Sequence, residues 1–190
     1  MNNFLLSIGE AYVGLLLLRF YATLVNTPFY MPPMQFLVAI SEPLVHPFRR
    51  IIRNRGLWDV ALVAVIIVLE ALLLSLAFWN LLTAGSLNLA ALFLYILLRL
   101  LKISIFLLLL IVIAEAILSW INPQAPVAPF LNRLSHPFLG PLRQVIPPIG
   151  GIDITPIILF LLIELFLRFI LTPLIARAYW MVLGYAVSLP

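Results

Sequence analysis

Four glutamates lie within long apolar runs of the chain, and their chemistry needs an explanation. They are Glu10, Glu70, Glu115 and Glu164. An acidic side chain at the centre of a membrane span costs roughly 2.5 to 3.5 kcal/mol on insertion scales, so each should face other helices, pair with a cation or be protonated. At 1.5 Å per residue, Glu70 and Glu164 would lie about 16 Å from Asp59 and Asp153, near the bilayer midplane.

Three functions remain open for these carboxyl groups. Paired with cations, they would hold a helix bundle together. Together, Glu70 and Glu164 could bind a proton or a monovalent cation. An unpaired glutamate could instead contact a subunit of another membrane complex.

Two arginines within the same runs are candidate partners. Arg168 follows Glu164 by four residues and is its expected partner on one helical face. Glu70 has no such neighbour, so it must find a cation on another helix or stay neutral. Arg19 aligns with Glu115 in the internal repeat described below, so the two should lie at similar depth and could pair across helices. Glu10 and Arg19 complete the predicted intramembrane charge cluster.

The composition requires a membrane as the environment of these residues. The chain has 190 residues, 65% of them hydrophobic and only 9% charged, and its mean hydropathy is +1.20. Soluble domains carry about a quarter charged residues, so a soluble globule is excluded. The sequence contains no cysteine, which removes disulfides, thiolate metal sites and thiol nucleophiles.

The apolar runs predict an all-α polytopic protein with four transmembrane helices. The predicted spans are residues 4–25, 57–79, 103–121 and 154–171. They define a first unit (1–80), a connector (81–102), a second unit (103–178) and a tail (179–190). Residues 87–101 are also apolar, with one polar stripe, and two interpretations stay open: an interfacial helix, or the start of a long, tilted third span.

An internal duplication is indicated when the chain is shifted against itself by 94 residues. At that offset, eight of the thirty positions from 41 to 70 are identical to those from 135 to 164. The identities include Asp59 with Asp153 and Glu70 with Glu164. The fold class is therefore two tandem two-helix repeats, joined internally by proline-rich, basic, amphipathic connectors.

The connectors share the pattern Ser-x-Pro-x-x-x-Pro-x-Arg. We expect the serine to cap a short helix, the first proline to lie in its first turn, and the second to break or restart it. The basic segment could lie on the membrane, with its arginines among anionic headgroups, or dock a partner. The candidate docking residues are Ser41, Pro43, Pro47, Arg49, Arg50, Arg53, Ser135, Pro137, Pro141 and Arg143. The positive-inside rule places both connectors in the cytoplasm and both termini outside it.

No constellation for enzymatic chemistry is present in the sequence. His46 and His136 lie in the connectors and do not align with each other, so paired haem ligation is not expected. No catalytic triad order, zinc-protease motif or nucleotide-binding fingerprint occurs. We therefore expect no catalytic residue, cofactor or metal, and no nucleic-acid partner.

The two motif copies, the second followed by Pro147-Pro148-Ile149-Gly150-Gly151-Ile152-Asp153 and an apolar helix, resemble the YggT family, also called YlmG. The resemblance implies a multi-pass protein of the bacterial inner membrane without established enzymatic activity. Roles implied by the family include osmotic or potassium stress, division and nucleoid organisation, and assembly of a plastid cytochrome complex. We therefore expect a scaffold or assembly factor, with a membrane-protein partner or a homo-oligomer. The alternative is a subunit or regulator of potassium or proton homeostasis that uses the intramembrane glutamates.

Overall fold

The computed structural model describes residues 2–52, 59–83, 88–146 and 153–184, and all regular elements within these ranges are helical. The helices are α1 (Asn2–Leu24), α2 (Pro32–Ile51), α3 (Val60–Ala77), α4 (Trp79–Thr83), α5 (Leu89–Ile121), α6 (Ala128–Val145), α7 (Thr155–Phe166) and α8 (Thr172–Val182). A π-helical turn, Leu167–Leu171, joins α7 to α8. We call α1–α3 the first half and α5–α8 the second half.

Among the described residues, three helices are long and apolar enough to cross a membrane: α3, α5, and the continuous helix Thr155–Val182 formed by α7, the π-helical turn and α8. The last of these continues beyond residue 171, which the sequence predicted as the end of the fourth span. The first predicted span forms α1, a 23-residue helix.

Residues 87–101 do not form a separate interfacial helix within the described part of the chain. Instead α5 runs unbroken for 33 residues, capped by Asn88, whose side chain accepts a hydrogen bond from the backbone N–H of Ala91. At 1.5 Å per residue this helix is about 50 Å long, which exceeds a hydrocarbon core of about 30 Å. The structure therefore agrees with the long third helix and puts Arg99 inside it.

The expected role of the connector motif as a cap and a helix break is wrong. Each connector forms one continuous helix, with Pro43 and Pro47 inside α2 and Pro137 and Pro141 inside α6. Helix α2 begins nine residues before Ser41 and α6 begins seven residues before Ser135, so the serines cannot act as caps. All four prolines are exposed, which leaves the opposite face of each helix free to pack on the bundle.

The core is divided among three apolar clusters. The largest joins α1, α3, the N-terminal part of α5 and α8, around residues such as Leu16, Leu62 and Ile96. A second lies where α1 and α5 meet α2 and α6, and a third joins α5, α6 and α7. The amphipathic helices α2 and α6 therefore bury their apolar faces against the long helices.

Candidate functional site

The candidate site consists of the two amphipathic helices and the charged groups that fix them to the long helices. In the first half, buried Arg19 of α1 donates to Ser41 and, at 2.8 Å, to Glu42, both on α2. Arg49 bridges Glu42, at 2.9 Å, and Asp59, which caps α3 by accepting a hydrogen bond from Leu62. One chain of charges thus ties α1, α2 and α3 together.

The second half contains a corresponding but shorter chain of charges. Glu115 of α5 accepts hydrogen bonds from Asn132 at 2.9 Å and from Arg143 at 3.4 Å, both on α6. Arg143 also donates to Asp153 at 2.7 Å, and Asp153 accepts the backbone N–H of Thr155 at the start of α7. The arginine-to-aspartate link is therefore present at aligned positions in both halves.

The charge of the long helix at this site is opposite in the two halves. Arg19 and Glu115 are aligned in the sequence, but the possible pair between them does not form, because Arg19 pairs with Glu42 and Glu115 pairs with Arg143. Glu42 lies between the two arginines of the first half, where the aligned residue of the second half is His136. In the first half, Glu42 separates the guanidinium groups of Arg19 and Arg49, which would face each other without it. The second half needs no such acid, because its long helix contributes Glu115 instead of a cation.

Asp153 lies outside the long helices, and its environment favours the ionised form. Partial burial raises the pKa of Asp153, but hydrogen bonds from Thr155 and the contact with Arg143 outweigh it, so the net pKa lies below its ordinary value. The capping carboxylate is therefore charged at neutral pH, as the positive end of a helix dipole favours.

Two tyrosines of α1 contact the backbone just before the first motif proline of each half. Tyr12 donates to the carbonyl of Ile40 at 3.0 Å, and Tyr21 donates to the carbonyl of Leu134. Each carbonyl belongs to the residue three positions before Pro43 or Pro137. A proline inside a helix leaves the carbonyl four residues before it without its backbone donor and distorts the preceding turn. The tyrosine hydroxyls bind the next carbonyl along the chain, within that distorted turn. Because Tyr12 contacts α2 and Tyr21 contacts α6, α1 makes hydrogen bonds to both halves.

The expected docking residues separate into buried and exposed groups. Ser41 and Ser135 are fully buried, and Ser135 donates to the carbonyl of Asn132. Arg49 and Arg143 are held in the ion pairs above, whereas Arg50 is exposed. The prolines are exposed, and Arg53 lies outside the described residues. Thus the serines and aligned arginines position the helices, while Arg50 and the prolines form their outer surface.

A second charged group lies where the two halves meet. Arg99 of α5 donates to Glu70 of α3 at 2.7 Å and also to Glu10 of α1, and its guanidinium lies 5.8 Å from the centre of the Tyr95 ring. Glu70 is fully buried, and its Oε2 atom has no hydrogen-bond partner among the described residues. Glu70 thus finds its cation on another helix, one of the two possibilities that the sequence left open.

Glu164 and Arg168 differ from this arrangement. Both side chains are exposed, and no ion pair joins them among the described residues. The expected i, i+4 pair is therefore absent, and Glu164 does not face the bundle interior as Glu70 does. The predicted midplane site shared by the two glutamates is not assembled within one copy of the chain.

An apolar cavity of about 830 Å³ lies beside the contact between α1 and α5. Its polar lining residues include Ser7, Glu10, Tyr95, Arg99 and Lys102. Glu10 and Arg99 are thus accessible from the cavity, whereas Glu70 lies behind them in the core.

Several of these contacts were not predicted from the sequence. Glu42 was visible only as a variable position of the motif, and Tyr12 and Tyr21 carry no local signal for a contact with another helix. Arg99 was identified only as part of the polar stripe of residues 87–101. Its partners Glu10 and Glu70 lie 89 and 29 residues away in the chain.

Comparison with known proteins gives a consistent result over most of the chain. A family model described as CCB3/YggT matches residues 1–82 and 86–174. The chain is 35% identical to the uncharacterised protein YggT of Escherichia coli strain K12 over 163 residues, covering 85% of this chain and 84% of that protein. It is 34% identical to an uncharacterised protein of Vibrio alginolyticus over 165 residues, covering 84% and 87%.

A plant protein shares a shorter segment. The chain is 40% identical over 58 residues to the chloroplastic YlmG homolog protein 2 of Arabidopsis thaliana, covering 30% of this chain and 23% of that protein. No solved structure matches the chain.

Proposed function

Because the chain belongs to the CCB3/YggT family, we propose that it is a non-enzymatic scaffold or assembly factor of the bacterial inner membrane. It would serve a membrane complex or the organisation of the cell envelope and division. The observation that carries this proposal is that α2 and α6 are fixed by buried polar contacts while their outer faces stay exposed. Rigidly held, exposed amphipathic helices suit recognition of a surface better than they suit catalysis.

The membrane arrangement is part of the proposal. In it α1 is a fourth span, the two halves are tandem units, and both termini lie outside the cytoplasm. Helices α2 and α6 then lie on the cytoplasmic face, where exposed cations such as Arg50 and Arg133 meet anionic headgroups or an acidic patch on a partner. Such a surface contributes about 1 kcal/mol per cation near an anionic membrane.

The alternative, a role in potassium or proton homeostasis through intramembrane glutamates, has less support. Glu70 shares Arg99 with Glu10, and Glu164 lies on a different surface. Within one copy, these positions do not form a continuous polar path.

Purification from native membranes in mild detergent tests the scaffold role. We expect defined membrane proteins to copurify with the wild-type chain and to be lost from the R50E/R133E variant, while the abundance of the variant stays normal. R177E is the matched control, since Arg177 is an exposed cation on α8, far along the chain from α2 and α6. A chain that purifies without partners and conducts ions in liposomes would overturn the proposal.

A further inference from the structure

Six of the seven acidic residues are in ion pairs, and Glu164 is the exception among the described residues. It lies nine residues from the start of α7, about 14 Å along the helix and close to the bilayer midplane. An exposed carboxylate at this depth would face hydrocarbon, which is the least favourable place for it. A neighbouring helix that carries a cation would remove this cost by covering Glu164 and pairing with it.

The first half shows how the aligned position is covered. Glu70 and Leu74 align with Glu164 and Arg168 at the 94-residue offset. Both residues of the first half are buried, at 0% and 4% exposure, and α5 of the second half brings Arg99 to Glu70. At the aligned positions of the second half, Glu164 and Arg168 are exposed, so within the described residues this face lacks a covering helix and a cation.

The exposed face of α7 has the pattern of a helix-packing seam. Ile157, Leu161 and Glu164 of α7 are exposed and spaced by four and three residues, and exposed Arg168 follows in the π-helical turn. A spacing of four and three residues matches the positions at which one helix faces a neighbouring helix. The seam therefore carries one acid on α7 and one base just beyond the end of α7.

Such a seam is complementary to itself. Two copies of the chain inserted in the same orientation are related by a twofold axis along the membrane normal, so their α7 helices run parallel at equal depth. Each glutamate then lies one turn from the other copy's arginine, and two reciprocal ion pairs form. Each copy contributes one exposed acid and one exposed base, so two identical copies are enough to form both ion pairs.

We propose that the chain forms a homodimer in the membrane through α7, in which Glu164 of each copy pairs with the partner's Arg168. The dimer does not depend on the scaffold role. It accounts for the one acidic residue that has no counter-charge among the described residues, and it covers the surface at which the two halves differ in burial.

Cysteine cross-linking in native membranes tests the dimer, because the chain has no cysteine of its own. We expect L161C to give a dimer-sized disulfide product. L72C is the matched control, since Leu72 is similarly exposed, at 55% against 54%, on the corresponding span of the first half. Equal cross-linking of both variants would overturn the proposal, as would a product between L161C and a different protein.

Charge reversal provides an independent test in the L161C background. E164R and R168E should each lower the cross-linked fraction about tenfold or more, because like charges then face each other across the interface. Coexpression of E164R with R168E should restore cross-linking between the two variants. Only an intermolecular pair predicts this rescue, so normal abundance of both variants without it would contradict the dimer.

Discussion

Arg99 of α5 donates to Glu70 of α3 at 2.7 Å, so the second half of the chain supplies the counter-charge for an acid buried in the first half. The same guanidinium also contacts Glu10 of α1, so three long helices meet at one cation. Glu70 therefore pairs with a cation of another helix and helps to hold the bundle together, which is one of the three functions that the sequence left open.

Removal of this cation should destabilise the protein strongly. R99Q leaves Glu70 buried without a partner, and an uncompensated buried charge costs about 3 to 5 kcal/mol. We expect a lower thermal unfolding temperature in lipid nanodiscs and a lower abundance in membranes. R99Q/E70Q should lose less than R99Q alone, because no buried charge then lacks a counter-charge.

K102Q is the control for R99Q. Lys102 lies three residues further along α5, is exposed and makes no ion pair among the described residues. Its replacement should change the free energy of unfolding by less than about 0.5 kcal/mol. Similar losses in R99Q and K102Q would contradict a structural role for the Arg99–Glu70 pair.

The opposite charges of Arg19 and Glu115 lead to a second prediction. E115R should destabilise the second half, because the new cation would face Arg143. Adding H136E should recover most of the loss, since it supplies the acid that Glu42 provides in the first half. Thermal unfolding of E115R, H136E and the double variant measures the recovery. If H136E adds the same increment with or without E115R, the correspondence between the two networks is wrong.

The tyrosine contacts give a third prediction. Y12F and Y21F should each cost about 1 kcal/mol, because a carbonyl beside a helical proline loses its external donor. Y30F is the control, since Tyr30 is 75% exposed. Protease digestion of folded protein should cut between the halves faster in Y21F than in Y12F, because only Tyr21 links α1 to α6. Equal digestion of both variants would show that Tyr21 does not hold the halves together.

The parts of the site that the sequence revealed are those encoded by identical residues at a fixed offset. The matches of Arg49 with Arg143 and of Asp59 with Asp153 are visible in the alignment, and both pairs form the same contact. Spacing of ten residues gives no direct indication of contact, however. Each arginine lies near the end of α2 or α6, and each aspartate lies just before α3 or α7, so each pair joins two different helices and could not be deduced from the periodicity of one helix.

Other features depend on packing that local patterns do not encode. The motif prolines predicted helix breaks, yet α2 and α6 continue through them, and each proline lies on the exposed side of its helix. Likewise the i, i+4 spacing of Glu164 and Arg168 predicted a pair that the structure does not form. A π-helical turn begins between these two residues, so an ideal helical pattern no longer describes their relative placement.

The proposed orientation in the membrane is a fourth prediction. Q124C, between α5 and α6, should react with an impermeant thiol reagent only after the cytoplasmic side is opened. T83C, at the end of α4, should react in intact cells once the outer membrane is permeable. Both native side chains are exposed, and no native cysteine contributes background. Labelling of Q124C in intact cells would reverse the orientation and move α2 and α6 to the other face.

The capping carboxylate of α7 gives a fifth prediction, on the effect of pH. The pKa of Asp153 in the folded protein lies below its ordinary value of 3.8, so folding favours the ionised form. Its stabilising contribution is therefore complete above about pH 3.8 and is lost as the pH falls through the lower pKa of the folded state. D153N keeps a side-chain acceptor for the helix cap but cannot ionise, so its stability should change less than that of the wild type over this acidic range.

Unfolding in nanodiscs at a series of pH values measures the difference between the wild type and D153N. D153A should additionally lose about 1 kcal/mol at neutral pH, because the cap is removed. Parallel pH profiles for the wild type and D153N would mean that ionisation of Asp153 does not contribute to the stability of the fold.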